Sequence, residues 1–345
     1  MESLEIGSIT GARSLSSSAV TRSLRWVHER YEDPCYVAMR LRKLADVEFL
    51  LLRDGGFRAE LSLATFGSII AYSFSFGSPV LIRGRRLPDL SMLAPITQIG
   101  SKGWFRGRTL AYGEVVFGDP NSPINRLVQA GEETHGLIFP QAVLLAALGL
   151  DPGEEVPPQF ADYQVLRPRR DRFEALRWRY DRLIASVKGG QPLAWSQQDV
   201  IDQLLSPWLG RTQKQLAAAP LKKRQRIVQG AEAIMSGALE EPLRIEAICE
   251  QLQVSRRTLF YAFQSRLGMT PLDFFKALRL SEGHRLLFCT RRSIRDIAHS
   301  VGYHHQGRFA MDYRRRFGVK PSDATRPESP LTLAVEPLPL EGFIT

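Results

Sequence analysis

A stretch of this chain repeats itself, and the repeat limits what the chain can fold into more than any other feature. Residues Arg244 to Ser255 recur as Ser293 to His304 at an offset of 49, with Ile245, Ile248, Cys249, Leu252 and Val254 matching Ile294, Ile297, Ala298, Val301 and Tyr303. After one inserted residue the offset becomes 50, and Leu259, Phe263, Leu267, Gly268 and Pro271 match Phe309, Tyr313, Phe317, Gly318 and Pro321. A repeat of this kind means one supersecondary unit built twice. The spacing specifies the unit. Ile245, Ile248, Cys249 and Leu252 share one face of a short helix. The small residue at Cys249 or Ala298 lets another helix approach closely. Gln253 and Gly302 fall where the chain must turn, and glycine permits the backbone such a turn needs. Ser255 is placed to cap a second helix, which Leu259 and Phe263 anchor inward. Two short helices joined by a three- or four-residue turn form a helix-turn-helix unit, whose second helix lies in the major groove of DNA. The expected units span about 244–268 and 293–318.

The residues left outward fit that chemistry. In the first unit they are Ser255, Arg256, Arg257, Thr258, Tyr261 and Gln264. Arg and Gln can read guanine and adenine edges with paired hydrogen bonds, while Thr or Tyr can touch phosphate or a thymine methyl. In the second unit they are His304, His305, Gln306, Arg308 and Met311, followed by Arg314, Arg315 and Arg316, a triplet suited to phosphate. Any single arginine here has a solvated surface role as its competing reading. Gly307 carries no side chain for base readout and lowers helix propensity by up to ~1 kcal/mol relative to Ala. Ala310 and Met311 are poor hydrogen-bonding readers. The first unit is therefore expected to carry more sequence specificity, the second more backbone affinity. Between the units, Pro271–Cys289 predicts a rigid helix, and recognition helices entering successive grooves would stand roughly 34 Å apart. The Arg224–Ser236 segment predicts a supporting helix.

Charge agrees. Residues 222–326 hold twenty Lys and Arg against ten Asp and Glu, a surplus equal to the net +10 of the whole chain. A localised basic block is the footprint of a polyanion-binding domain. The three cysteines, Cys35, Cys249 and Cys289, form no CxxC pair and no sequence cluster with histidine, so reduced thiols and no metal or cofactor are expected. No apolar run reaches the ~18–20 residues of a membrane span. The Ser- and Gly-rich start lacks a signal-peptide core, so a cytoplasmic, nucleoid-associated protein is expected, with no membrane partner.

On Ile248, Leu252, Ser255, Leu259, Phe263, Gly268, Pro271, Arg279-Leu280, Ile294, Ile297, Ala298, Gly302, Tyr303, Phe309, Phe317-Gly318 and Pro321, residues 222–326 resemble the DNA-binding domain of the AraC/XylS family of bacterial regulators. The resemblance implies double-stranded DNA as partner and both recognition helices on DNA; members of the family usually act as activators and often contact RNA polymerase, and the sequence leaves activator versus repressor action open.

The remainder reads less specifically. Residues 1–24 are expected to be flexible. From 25 to 150, short β-branched and aromatic runs punctuated by Gly and Pro, as at Asp54-Gly55-Gly56, predict a β-rich sandwich or barrel. This part is similar, more loosely, to the cupin-like domains that precede such readers, which implies a small-molecule effector or a homodimer interface. Ile124–Ala130 reads as a short helix, Gly131–His135 as an acidic loop and Gln141–Leu150 as a helix. The candidate effector residues are Arg83, Trp104 and Tyr112; Phe105 could line the same pocket and Arg85 and Arg86 could meet an anionic ligand, against a core role for the aromatic residues and a solvated loop for the arginines. Residues 151–220 read as a helical linker or dimerisation segment. Within it, Arg170–Lys188 carries an apolar stripe that suits either a second copy or the chain's own β domain. The tail, 327–345, is expected to be disordered. No catalytic fingerprint appears: there is no GxSxG, P-loop or dinucleotide motif, and the front region has only His28 and His135, so no enzyme activity is expected.

Overall fold

The computed structural model describes residues 25–98, 103–160, 163–191, 193–209, 215–216 and 223–324. The flexible start and disordered tail expected from sequence lie outside the described residues.

The front region is two antiparallel sheets built from β1 (Arg25–Tyr31), β2 (Ala45–Leu51), β3 (Ala59–Phe66), β4 (Ile69–Phe76), β5 (Val80–Arg86), β6 (Leu90–Pro95), β7 (Trp104–Phe105), β8 (Arg108–Thr109), β9 (Val115–Gly118), β10 (Ile124–Val128), β11 (Glu133–Pro140), β12 (Gln164–Leu166) and β13 (Gln215–Leu216). The larger sheet runs β1-β3-β4-β11-β6-β9-β12-β13 and the smaller β2-β5-β10-β7-β8. A sandwich forms as expected; it does not close into one barrel. Local chemistry sets the register. The β3–β4 hairpin turns on two residues, with Gly67 in the left-handed region at φ 59°, the conformation a two-residue hairpin demands.

Three expectations fail here for physical reasons. Ile124–Val128 is strand β10, paired with β5 on one side and β7 on the other; so short a run fits helical and strand periods alike, and ladder partners on both sides decide it. The segment read as an acidic loop turns at Gly131 and enters β11, a central strand between β4 and β6. Glu133 is satisfied there by Ser73 and Lys188, and a side chain at Gly136 would collide with the Tyr72 ring. Helix α1 (Pro34–Leu41) lies where the sequence pattern favours strands; Asp33 caps it and Pro34 occupies its first turn.

Helices α2 (Gln141–Leu148) and α3 (Arg170–Lys188) follow, then α4 (Gln197–Val200), a π-helical turn (Ile201–Leu205) and α5 (Ser206–Leu209). The α3 stripe Phe173, Leu176, Tyr180, Leu183, Ile184 and Val187 is buried against Phe66, Ile69, Leu137 and Phe139 of the larger sheet. Its Tyr180 hydroxyl donates to the carbonyls of Tyr72 and Gly136. The stripe is spent inside the chain, while Trp178 on the same helix stays 57 % exposed.

The reader follows as α6 (Lys223–Ser236), α7 (Ile245–Gln251), α8 (Arg256–Leu267), α9 (Pro271–Cys289), α10 (Ile294–Ser300) and α11 (Gln306–Phe317). Its two halves share cores with the front domain. Leu50, Leu52, Leu81, Trp104 and Leu127 pack with Ile227, Ile248, Leu259 and Phe263. Phe49, Leu51, Phe57 and Phe76 belong to a second core with Leu280, Ile297, Phe309, Tyr313 and Phe317. No helix among the described residues is long and apolar enough to cross a membrane.

Candidate nucleic-acid interface

Each unit is locked from behind and open in front. In the first, Ser255 caps α8 by accepting the Thr258 N–H at 3.2 Å, and its hydroxyl meets the Thr258 hydroxyl at 2.8 Å. Leu259, Ala262, Phe263 and Leu267 are buried on the inner side, leaving Arg256, Arg257, Tyr261 and Gln264 exposed. Arg256 lies 3.4 Å from Glu246 on α7, a surface pair that solvent and a phosphate can readily displace. The cap matters beyond stability: a free helix N-terminus carries partial positive charge toward whatever anion approaches it.

In the second unit Phe309, Tyr313 and Phe317 face inward, and His304, His305, Gln306, Arg308, Met311, Arg314 and Arg315 are exposed. Here the start of α11 has no side-chain cap; His305 occupies the N-cap position. Nothing lies within 4 Å of where a Cβ would stand on Gly307, so its glycine leaves a gap in the presented face rather than relieving a clash. The turns repeat as faithfully as the cores. Gln253 and Gly302 both adopt positive φ, 52° and 74°, and α8 and α11 both end on left-handed glycines, Gly268 and Gly318. Arg279 ties the units together from α9: its guanidinium donates to the carbonyls of Leu239, Gly302 and Glu241.

The arginine triplet is not one set. Arg314 is exposed, but Arg316 is buried at 6 % exposure, donating to Leu51 O at 2.8 Å and lying 3.1 Å from an Asp54 carboxylate oxygen. Burial holds its pKa below the ordinary arginine value. Arg315 is exposed yet ion-paired to the other Asp54 oxygen at 2.8 Å. The expectation that all three reach phosphate therefore fails for Arg316 in this arrangement. The connection from β2 to β3 that carries Asp54 continues onto α11, where the Gly55 and Gly56 N–H groups donate to Arg315 O and Arg316 O, and Arg53 donates to Gly268 O at the end of α8. The loop from 53 to 56 thus touches the C-terminal ends of both recognition helices.

The three effector candidates are also placed elsewhere. Arg83 bridges Glu48 at 2.5 Å and Glu232 of α6 at 2.6 Å. Burial alone would lower its pKa, but the two carboxylates overcome that and raise it. Trp104 is core, 2 % exposed, with its indole N–H on Arg266 O. Tyr112 packs on Phe173 and donates to Glu174. Arg86, expected on a solvated loop, is buried at 5 % exposure, and sequence reasoning missed Arg126, which is 6 % exposed. Arg86 comes from the smaller sheet and donates to Leu90 O, Asp119 O and Ser122 O. Arg126 donates to Glu132 and to Thr134 of the larger sheet. Arg86 Nη1 and Arg126 Nε find no hydrogen-bond partner among the described residues. Sequence reasoning also passed over Arg224, whose guanidinium sits 4.4 Å from the Tyr261 ring centroid; its signal was the basic run that opens α6.

A family described as "Helix-turn-helix domain" (HTH_18) matches residues 248–326. The chain is similar to the probable thc operon regulatory protein of Rhodococcus erythropolis, 32 % identical over 103 residues, 29 % of this chain and 31 % of that protein. It is similar to the HTH-type transcriptional regulator ArgR of Pseudomonas aeruginosa, 34 % identical over 93 residues, 27 % of this chain and 28 % of that one. Among solved structures, a probable AraC family transcriptional regulator from Rhodopseudomonas palustris is 34 % identical, covering 30 % of this chain and 99 % of that chain, with a TM-score of 0.28. The chain spans about a third of the length of the curated relatives it matches. Residues 248–326 form a helix-turn-helix domain of the AraC type.

Proposed function

We propose that this protein is a sequence-specific DNA-binding transcriptional activator that reads two adjacent major-groove segments under the control of a small effector. One observation carries the reading: α8 and α11 stand at matched repeat positions, each anchored in its own core, each with its outer face exposed and basic. Arg256, Arg257 and Gln264 are assigned to base edges, Ser255, Thr258 and Tyr261 to phosphate or thymine methyl groups. In the second unit Gln306 and Arg308 are assigned to bases, and His304, His305, Arg314 and Arg315 to the backbone. Relatives named as HTH-type transcriptional activators favour activation. Contact with RNA polymerase and pairing of two copies belong to the same reading, through surfaces other than the buried stripe of α3.

Selection of binding sites from random duplexes, using the full chain at near-physiological salt, tests it. Two enriched segments about one helical turn apart are the expected result; salt-sensitive binding without enrichment would reduce the protein to an architectural binder. On the selected site, Arg257→Ala should cost ~1–3 kcal/mol and relax preference at one position. Uniform weakening on all sequences would make Arg257 a phosphate contact instead.

The effector is assigned to the neighbourhood of Arg86 and Arg126 in the front domain, and its class to small anions. Arg86 and Arg126 are buried cations with N–H groups left over, and such groups call for an acceptor. A panel of small carboxylates should contain one that raises the melting temperature of the wild type and not of Arg126→Met. A ligand that stabilises both equally would place the effector elsewhere.

A further inference from the structure

Three metal-ligating side chains, far apart in sequence, meet where the front domain touches the reader. Asp33 caps α1 by accepting the Cys35 N–H at 2.8 Å. His284, on α9 and 3 % exposed, brings Nε2 to 3.0 Å from Asp33 Oδ1. One ligand atom from each of Asp33, Cys35 and His284 lies within 4.8 Å of the others. The sequence held no Cys/His cluster; the fold makes one. We propose that Asp33, Cys35 and His284 form a binding site for a zinc-class divalent cation.

The donor set selects the ion. Ligand bonds of ~2.0–2.3 Å to nitrogen, oxygen and sulfur place neighbouring donors of a tetrahedral site about 3.3–3.8 Å apart, so donors within 4.8 Å of one another need only a small side-chain adjustment to close on an ion. A thiolate with an imidazole favours zinc or cobalt over the hard cations magnesium and calcium. Three protein ligands leave a fourth position for water or a further donor. The far side of the imidazole is already held, because His284 Nδ1 lies 2.6 Å from the Tyr313 hydroxyl. Such an outer partner fixes the ring and tautomer of a ligating histidine.

The same hydrogen bond links the site to DNA reading. Without an ion, the pattern closes when Nε2–H donates to Asp33 and the Tyr313 hydroxyl donates to Nδ1. With an ion, Nε2 gives its lone pair to the metal, and the ring proton resides on Nδ1 and donates to the Tyr313 oxygen. The Cys35 thiol proton leaves to solvent. Tyr313 must then turn its own proton away from the histidine. It lies on α11, and His284 also stacks on Phe317 of that helix, with ring centroids 4.4 Å apart. An ion here therefore reorganises contacts along the buried side of the second recognition helix.

Cobalt titration of the chelator-stripped full chain tests the site without any DNA. The expected result is one cobalt per chain, with thiolate-to-cobalt charge-transfer absorption and the visible bands of a tetrahedral ion, both displaced by zinc. Cys35→Ser should abolish the charge-transfer absorption while Cys249→Ser and Cys289→Ser retain it. Tyr313→Phe should weaken binding ~10–100-fold by removing the outer partner. Circular dichroism and melting of stripped Cys35→Ser establish that it folds, and zinc should raise the melting temperature of the wild type but not of this variant. Absence of the charge-transfer band in the wild type, or its survival in Cys35→Ser, overturns the proposal and leaves His284 and Asp33 as a structural hydrogen-bonded pair.

Discussion

Asp54→Asn should make this protein bind DNA more tightly and with a steeper salt dependence. Asp54 competes with the phosphate proposed for this helix end: its two carboxylate oxygens are ion-paired to Arg315 at 2.8 Å and Arg316 at 3.1 Å, on the last turn of α11. A protein carboxylate there neutralises cations that would otherwise release counterions from the duplex. Every further phosphate neutralised steepens the slope of log affinity against log salt by ~0.9 on B-form DNA. Arg315 is exposed and would keep only its 3.5 Å contact with Asp312; Arg316 is buried and still tied to Leu51 O, so its release needs the helix end to loosen. The expected steepening is therefore about 1, rising toward 2 if both are freed. Tighter binding should show on every sequence, because phosphate contacts carry no base information. Affinity measured over a range of salt for wild type and Asp54→Asn checks this. An unchanged slope with unchanged affinity would mean that Asp54 only braces the domain junction. The loop that carries Asp54 also caps α11 through Gly55 and Gly56, so the front domain holds the reader through charge and helix-end hydrogen bonds at one point.

The reader is legible in the sequence because its information is local. Turn, inward anchors and terminal glycine recur at fixed offsets, and each has one structural meaning: Gln253 and Gly302 turn left-handed, Gly268 and Gly318 end their helices, and in the first unit Ser255 caps. The outward residues follow by subtraction. What the sequence conceals is non-local. Nothing near Arg316 announces Asp54, and nothing near His284 announces Asp33 and Cys35. The effector candidates fail for a related reason. Trp104 takes the core role that aromatic residues on strands usually take, but Arg83, Arg86 and Arg126 cannot be ranked without knowing which sheet face each side chain takes. One further signal lies in β2. Phe49-Leu50-Leu51-Leu52 is a continuous apolar run, and such a strand is covered on both faces. Leu50 and Leu52 join the first unit's core while Phe49 and Leu51 join the second. That run foretells a reader docked on the smaller sheet.

The separation of the two cores gives the sharpest test of division of labour between the units. Leu259 and Phe309 occupy matched positions in the repeat, both with no exposed surface, in different clusters. Leu259→Ala should cost ~2–5 kcal/mol and Phe309→Ala ~3–5 kcal/mol, from lost burial and the cavity left behind. The Phe309 cavity has little chance to collapse, because the ring is clasped between Tyr303 and Tyr313 at centroid distances of 5.4 and 5.6 Å and touches α9 at Gly283. Losses of that size exceed what one short helix can absorb, so each variant should release its own recognition helix first. On the selected operator, well below the melting temperature, Leu259→Ala should lose protection over one half-site and Phe309→Ala over the other. The two should then differ in kind. Arg256, Arg257 and Gln264 present more base-reading groups than a face interrupted by Gly307, Ala310 and Met311. Leu259→Ala should therefore flatten discrimination between operator and random DNA, while Phe309→Ala should lower affinity on both with the ratio largely kept. If Phe309→Ala destroys the ratio and Leu259→Ala preserves it, the second unit is the reader of bases and the roles assigned to the two helices must be exchanged. If both variants erase the whole footprint together, the shared front-domain packing makes the reader a single cooperative body, and neither helix acts alone.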